Sequence, residues 1–186
     1  WRFGQGGAQM YAYDVDGDGD NDVITSIRAH GYGLAWFEHY KDAGQIKFKE
    51  HRIIDDKPEK NRYGVKFSQM HALDLVDIDG DGVKDIVTGK RWWAHGPKGD
   101  AEPNAAAVVY WFKTVRDASK KSGSATFIPY QVDNNSGVGT QVKAVDLNGD
   151  GYPEIVVGNK KGGFVHMHVV KKASKAQWQA AQPKIK

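Results

Sequence analysis

The stretch DIDGDGVKD at residues 77–85, which runs directly into Ile86-Val87-Thr88, decides the fold of this chain. Acidic side chains stand at positions 1, 3, 5 and 9 of the stretch, and Gly80 and Gly82 supply the backbone freedom that a tight turn needs. Positions 1, 3 and 5 can direct oxygens toward one centre, position 7 can add a backbone carbonyl, and position 9 closes the ring. Oxygen ligands without Cys or His suit Ca²⁺ best, and carboxylates this close would repel one another without a cation.

The pattern occurs three times, starting at residues 14, 77 and 146. The first copy is DVDGDGDND at 14–22 and the third is DLNGDGYPE at 146–154. Each copy is followed by β-branched residues, which are typical of a strand. Three copies in one chain predict a repeat architecture in which each loop joins two strands.

These loops predict up to three structural Ca²⁺ ions. The residue at position 7 is expected to bind through its backbone carbonyl, whereas the others offer side-chain oxygens. Because Asn148 replaces an Asp, the third loop carries the least negative charge, and we expect it to be the weakest site. The predicted ligands are Asp14, Asp16, Asp18, Asp20 and Asp22; Asp77, Asp79, Asp81, Val83 and Asp85; and Asp146, Asn148, Asp150, Tyr152 and Glu154.

The loops are not EF-hands, which need a bidentate Glu at position 12. That position holds Thr25, Thr88 or Val157. All three copies instead fit the motif D-x-[DN]-G-D-G-x-x-[DE]-[IV], and the chain resembles the FG-GAP or VCBS-type repeat of integrin α-subunits and secreted bacterial proteins. The resemblance covers residues 3–170. It implies calcium-binding β-propeller blades and an extracellular or periplasmic protein, since millimolar calcium is found there.

We therefore predict an all-β protein of about three four-stranded antiparallel propeller blades, at residues 1–56, 57–133 and 134–170. A Lys- and Ala-rich tail, linker or short helix follows at 171–186. The fourth strand of the last blade has no clear signal. Propellers usually have four to eight blades, and an open one exposes sheet edges. We expect this chain to be part of a larger propeller, or to be completed by another chain or copy.

The balance of charged residues limits the kinds of binding partner to be expected. The three loops hold 12 of the 23 acidic residues, so calcium binding would leave 26 Lys and Arg against 11 other acids. Such a surface favours an anionic partner such as an acidic polysaccharide, although a merely solvated Lys-rich surface is the simpler interpretation. The sequence has no stripe of basic and aromatic residues that indicates nucleic acid, and no apolar run long enough to span a membrane. With no Cys, nothing indicates thiol chemistry.

A second candidate site combines residues of blade two with a basic residue that recurs at the equivalent position of every blade. Six residues beyond each position-9 acid stand Arg28, Arg91 and Lys160. Arg forks and Trp faces bind sugars and carboxylates through bidentate hydrogen bonds and stacking, although packing between blades is the alternative for the Trp pair. The candidate ligand-binding residues are His71, Arg28, Lys90, Arg91, Trp92, Trp93, His95 and Lys160.

The functional hypothesis is an exported calcium-binding propeller segment that acts as a binding or scaffold module, with carbohydrate or protein as partner. No catalytic motif is present, which favours a binding module. The alternative is a piece of the propeller of a carbohydrate-active enzyme, because polysaccharide lyases and glycosidases need only a few residues scattered over several blades.

Overall fold

The computed structural model describes residues 1–117, 119 and 124–186. In this part of the chain, eleven strands form three antiparallel sheets of four, four and three strands, and each sheet keeps the order of the chain. The strands are β1 (Met10–Tyr13), β2 (Asp22–Ser26), β3 (Leu34–Asp42), β4 (Gln45–Ile54), β5 (Leu73–Val76), β6 (Asp85–Gly89), β7 (Val109–Val115), β8 (Thr126–Asp133), β9 (Gln141–Val145), β10 (Glu154–Asn159) and β11 (Gly162–His166). The predicted all-β, blade-like class is confirmed.

The third sheet differs from the predicted four-stranded blade, because the described residues supply three strands for it. The sequence also predicts that its last strand continues to Val169, whereas β11 ends at His166. Val165 and Met167 are more than half exposed. Without an outer strand beside it, β11 has no second row of hydrogen bonds to extend its pairing.

Alternation along the strands separates three hydrophobic clusters among the described residues, one of which (Ile27, Ala35 and Phe37) lies on the outer face of the first sheet. Ile24 and Trp36 of the first sheet meet Ile86 and Phe112 of the second in one core. Neighbouring residues on the second sheet, such as Val87, face the other way and pack with residues of the third sheet. Because side chains alternate between the two faces of a strand, each middle strand can serve both cores.

Asp74 on β5 joins the first strands of all three sheets. It is 2% exposed, and its carboxylate accepts a hydrogen bond from the Tyr11 hydroxyl of β1 (3.0 Å) and from the Ala144 amide of β9 (2.8 Å). Burial and the Asp74 charge raise the pKa of Tyr11 to about 12. The first strands of the three blades therefore lie side by side.

The loop after β6, the proline in β8 and the C-terminal helix have the structures that their residue types favour. Residues 92–107, between β6 and β7, form the predicted irregular loop. Pro129 lies in β8, an edge strand among the described residues, where its missing amide costs no ladder bond. The helix α1 (Lys175–Ala181) begins with a capping box at Ser174 and Gln177, and Gln182 accepts a 2.6 Å hydrogen bond from the Tyr130 hydroxyl. None of the helical segments in the described residues is long and apolar enough to cross a membrane.

Candidate functional site

The three acidic loops connect β1 to β2, β5 to β6 and β9 to β10, so each joins the first two strands of its sheet as predicted. All three share one hydrogen-bond pattern. The position-1 carboxylate accepts from the amides of the glycines at positions 4 and 6, over distances of 2.7 to 3.2 Å. These six glycines have φ between 76° and 103°, a region that a residue with a Cβ rarely adopts.

The remaining acids of each loop also follow a shared pattern. The position-5 carboxylate accepts from the amide of position 7, and the position-9 carboxylate accepts from the amide of position 2, at 2.8 to 3.1 Å. In loop one, Asp14, Asp16 and Asp18 bring carboxylate oxygens within 4.8 Å of one another, and Asp77 and Asp79 do so with Asp85 in loop two. The first two loops are folded so that their carboxylate oxygens converge.

The position-9 acids are buried and connect the loops to the third strand. Asp22 is 1% exposed and accepts from the His39 amide of β3 (2.8 Å), and Asp85 is 0% exposed and accepts from the Thr114 amide of β7 (2.9 Å). Burial raises the pKa of Asp22 to about 7, with further repulsion from nearby aspartates, and raises the pKa of Asp85 to about 6. Burial thus makes the protonated form of these two carboxyl groups more favourable than it is for an exposed Asp.

Loop two contains a cation of the protein itself. The Lys113 ammonium contacts the carboxylates of Asp79 and Asp81, the latter at 2.6 Å. Its contact lowers the pKa of Asp81. The equivalent residue of β3 in blade one is Glu38, whose carboxylate lies 2.6 Å from His51 Nε2.

Loop one has an imidazole beside it, and loop three an amide. In loop one, His39 Nδ1 lies 2.8 Å from Asp20. In loop three, the Asn148 amide nitrogen donates to Asp150 (3.1 Å) and Glu154 (3.2 Å). These two side chains supply partners for carboxylate oxygens of loop one and of loop three.

The donor chemistry of all three loops fits Ca²⁺: carboxylate and amide oxygens on a preformed turn, without a soft ligand. A bound ion would be held by the positions named from the sequence, and it would neutralise the buried position-9 acids. In loop two it would compete with the Lys113 ammonium.

The second candidate site is formed by the loop after β6. Trp92 and Trp93 stack on each other with ring centroids 5.0 Å apart, and the Lys161 ammonium lies 4.5 Å from the Trp92 ring centre. Trp93 also donates through its indole nitrogen to Asn104 (2.9 Å). Both Trp rings are half-buried, so the pair is not part of the core between the sheets.

The predicted basic residues have different surroundings. Lys90 is fully buried, and its ammonium donates to the carbonyls of Arg91 and Pro103, so in the structure it supports the loop. Lys160 is exposed and donates to the Trp93 carbonyl (2.6 Å), which brings blade three to the blade-two loop. Arg28 is exposed and donates to Gln5 (2.6 Å). Arg91 is half-buried.

Tertiary structure adds His30 and Asp100 to the predicted His71 and His95. His30 Nδ1 lies 3.2 Å and His95 Nδ1 2.9 Å from the Asp100 carboxylate, while His30 Nε2 lies 3.3 Å from His71 Nε2. Burial lowers the pKa of His71. The position of His30, two residues after the repeated Arg28, is the one sequence feature that could have suggested it as a site residue. Its contact with blade two could not be predicted, because it depends on how the two blades pack.

The fold and the loops together define a β-propeller-type repeat module. Residues 138–166 match the family model of the FG-GAP repeat. This match covers the third acidic loop with its strands, and it is consistent with the resemblance to FG-GAP and VCBS-type proteins. The chain has no significant match among curated proteins.

Proposed function

We propose that this chain is a calcium-binding propeller segment of an exported protein and acts as a binding module. The observation that carries the proposal is the shared loop geometry: three turns in three successive sheets have the same hydrogen bonds at positions 1, 5 and 9 and a buried position-9 acid, and the carboxylate oxygens of the first two converge. Calcium stabilises each turn by neutralising its carboxylates and by fixing the hairpin between the first two strands.

Calorimetric titration of the whole chain with Ca²⁺ tests this proposal. We expect up to three binding events, and Asp16→Asn and Asp79→Asn should each weaken one of them. Asp42→Asn is the matched control, because Asp42 is an exposed carboxylate at the end of β3 and outside every loop. A chain that binds no calcium, or that loses affinity equally with the control, would contradict the proposal.

The calcium dissociation constants from the same titration also test whether the protein is exported. Extracellular calcium-binding modules have dissociation constants of about 10⁻⁴ to 10⁻³ M, whereas cytosolic sensors bind at about 10⁻⁷ to 10⁻⁵ M. Constants in the extracellular range support an exported protein. Sub-micromolar binding in all three loops would argue against it.

The proposed binding face is the blade-two loop with Arg91 and Trp93. The Trp92 ring already contacts Trp93 and Lys161, which leaves Trp93 better placed to stack on a sugar ring. Arg91 and Lys160 supply cations beside it. A flat aromatic ring beside positive charge suits an acidic carbohydrate or an acidic protein segment.

An array of acidic and neutral glycans, probed with calcium present, tests this face. We expect preference for acidic glycans and a loss of binding of about fivefold on Trp93→Ala, since stacking of one aromatic ring contributes about 1 kcal/mol. Trp178→Ala is the matched control, because Trp178 is an exposed Trp on α1. An equal loss of glycan binding in both variants would contradict the proposal that glycans bind at this face.

We also propose that another copy or another chain completes the propeller. Val165, Met167 and Val169 expose apolar surface along β11 and the segment after it, beside a sheet edge that no strand of the described residues pairs. Light scattering with and without calcium measures the assembly. Particles heavier than one chain in calcium support completion by a second copy, and a strict monomer contradicts it.

A further inference from the structure

We propose that His30, His71, His95 and Asp100 form a binding site for a divalent transition metal such as Zn²⁺, separate from the calcium loops. The site lies where the loop after β2, the segment before β5 and the insertion after β6 meet. Nitrogen ligands distinguish it from the acidic loops, because imidazole suits zinc and related metals while calcium requires oxygen.

The hydrogen bonds orient the imidazole nitrogens. Nδ1 of His30 and Nδ1 of His95 both face the Asp100 carboxylate, and Nδ1 of His71 faces the Gln69 carbonyl at 3.2 Å. An oxygen acceptor at Nδ1 places the proton there and leaves Nε2 as the basic nitrogen. Such carboxylate and carbonyl partners are what metal-binding histidines have in their outer shell.

The two nitrogens freed in this way face each other. His30 Nε2 and His71 Nε2 are 3.3 Å apart, and two unprotonated nitrogens at that distance repel unless a proton or a cation lies between them. With zinc–nitrogen bonds of about 2.0 Å, two ligands of a tetrahedral ion are separated by about 3.3 Å. The pair therefore has the separation that zinc requires.

His95 supplies the third imidazole. Its ring stacks on His30 with centroids 4.5 Å apart, and its side chain is 65% exposed, so a small rotation can bring its Nε2 to the same ion. Asp100 contributes the negative charge next to two of the three rings. Three nitrogens leave one position of a tetrahedral ion open, on the exposed side of His30 and His95.

The surrounding backbone holds the site in place. Gln69 donates from its backbone amide to the Gly31 carbonyl (2.7 Å) and from its side chain to the Ala101 carbonyl (2.9 Å). Gln69, Trp93 and Asp100 all have φ between 50° and 60°, a left-handed conformation that non-glycine residues seldom adopt. Strained backbone of this kind clusters at functional sites, and here it surrounds the histidines.

The test is titration of the whole chain with Zn²⁺, and with Co²⁺ as a spectroscopic probe, in buffer containing millimolar calcium to fill the acidic loops. We expect one zinc ion per chain and the visible absorption bands of cobalt bound by nitrogen. His95→Ala should weaken zinc binding at least tenfold, and Asp100→Asn by about 10- to 100-fold, as found for outer-shell partners.

His95 is the first variant to make because it is exposed and its loss does not disturb the core. His71→Ala should weaken binding further, provided that its circular dichroism matches the wild type. His168→Gln is the matched control, since His168 is a partly exposed histidine beside Tyr152 in blade three. Zinc binding that is absent from the wild-type chain, or that survives unchanged in His95→Ala, would overturn the proposal, and so would equal loss in His168→Gln.

Discussion

Loop one and loop two share the hydrogen bonds to their acids at positions 1, 5 and 9 and the connection from position 9 to the third strand, yet different charged groups contact them. Loop two has the Lys113 ammonium on Asp79 and Asp81, whereas β3 presents Glu38 at the equivalent place beside loop one. The pKa of Asp22 rises to about 7, above the value of about 6 for Asp85. Strand β7 therefore places an ammonium on the carboxylates of loop two, whereas in loop one His39 contacts Asp20 and Arg116 contacts the backbone carbonyls of Asp14 and Val15.

The largest expected effect is a loss of stability of the calcium-free protein as pH rises. The folded-state pKa values of Asp22 and Asp85 lie above the ordinary value of 3.8, so the protonated carboxyls stabilise the fold at low pH. This contribution is present below about pH 4 and disappears as pH passes through about 6 and then about 7. We expect a decrease of about 4 kcal/mol in the free energy of unfolding between pH 5 and pH 8.

Urea unfolding of protein freed of calcium on a chelating resin measures this decrease. Calcium-loaded protein is the control, and its stability should rise over the same pH range because calcium binds the deprotonated carboxylates. If the free energy of unfolding of the calcium-free protein stays constant or rises with pH, the charges of the buried acids are already balanced by other groups of the protein.

Chelation should loosen blade one more than blade two. At calcium 100-fold above the dissociation constant, a bound ion contributes about 2.7 kcal/mol. In loop two the Lys113 ammonium on Asp79 and Asp81 would replace part of that contribution. Hydrogen exchange of β1 and β2 should accelerate more on chelation than that of β5 and β6. Equal acceleration in both blades would mean that the Lys113 contact has no energetic importance.

Lys113→Met should make loop two depend more strongly on calcium. Because calcium no longer has to displace an ammonium, we expect its affinity for loop two to rise about tenfold, which corresponds to about 1.4 kcal/mol. The calcium-free form should become less stable by up to about 1 kcal/mol. Calorimetry detects the first change, and Lys47→Met, which removes the partner of Asp42 in the β3–β4 hairpin, is the control. An unchanged loop-two affinity would contradict the competition.

The smallest effect concerns loop three. Asn148→Asp restores the acid found at this position in the other loops, and it removes the amide that donates to Asp150 and Glu154. We expect about a threefold gain in calcium affinity, within the range by which ligand charge tunes such sites. The variant should bind no better than the wild type if the loop is limited by its geometry instead.

The prediction of the loops succeeded because their residues are close together in the chain. Gly80 and Gly82, the position-1 acid and the position-9 acid lie within nine residues, so local spacing is enough to describe the turn. The blades followed from strand alternation, except at β11, whose end depends on an outer strand that the described residues do not supply. Lys90 was assigned to a binding face, whereas its ammonium is buried on two carbonyls, since exposure at the end of a strand is set by the loop that folds over it.

The sequence by itself determined the repeat, the three acidic hairpin turns, the all-β class and the donor chemistry that suits calcium, because each of these is written in residues a few positions apart. Only the tertiary structure decided which charge meets each loop and which histidines meet one another. Lys113 reaches Asp79 from another strand, and His30 meets His71 and Asp100 from another blade. Such contacts depend on strand register and on the packing of one sheet against the next, which side-chain spacing along a single chain does not specify.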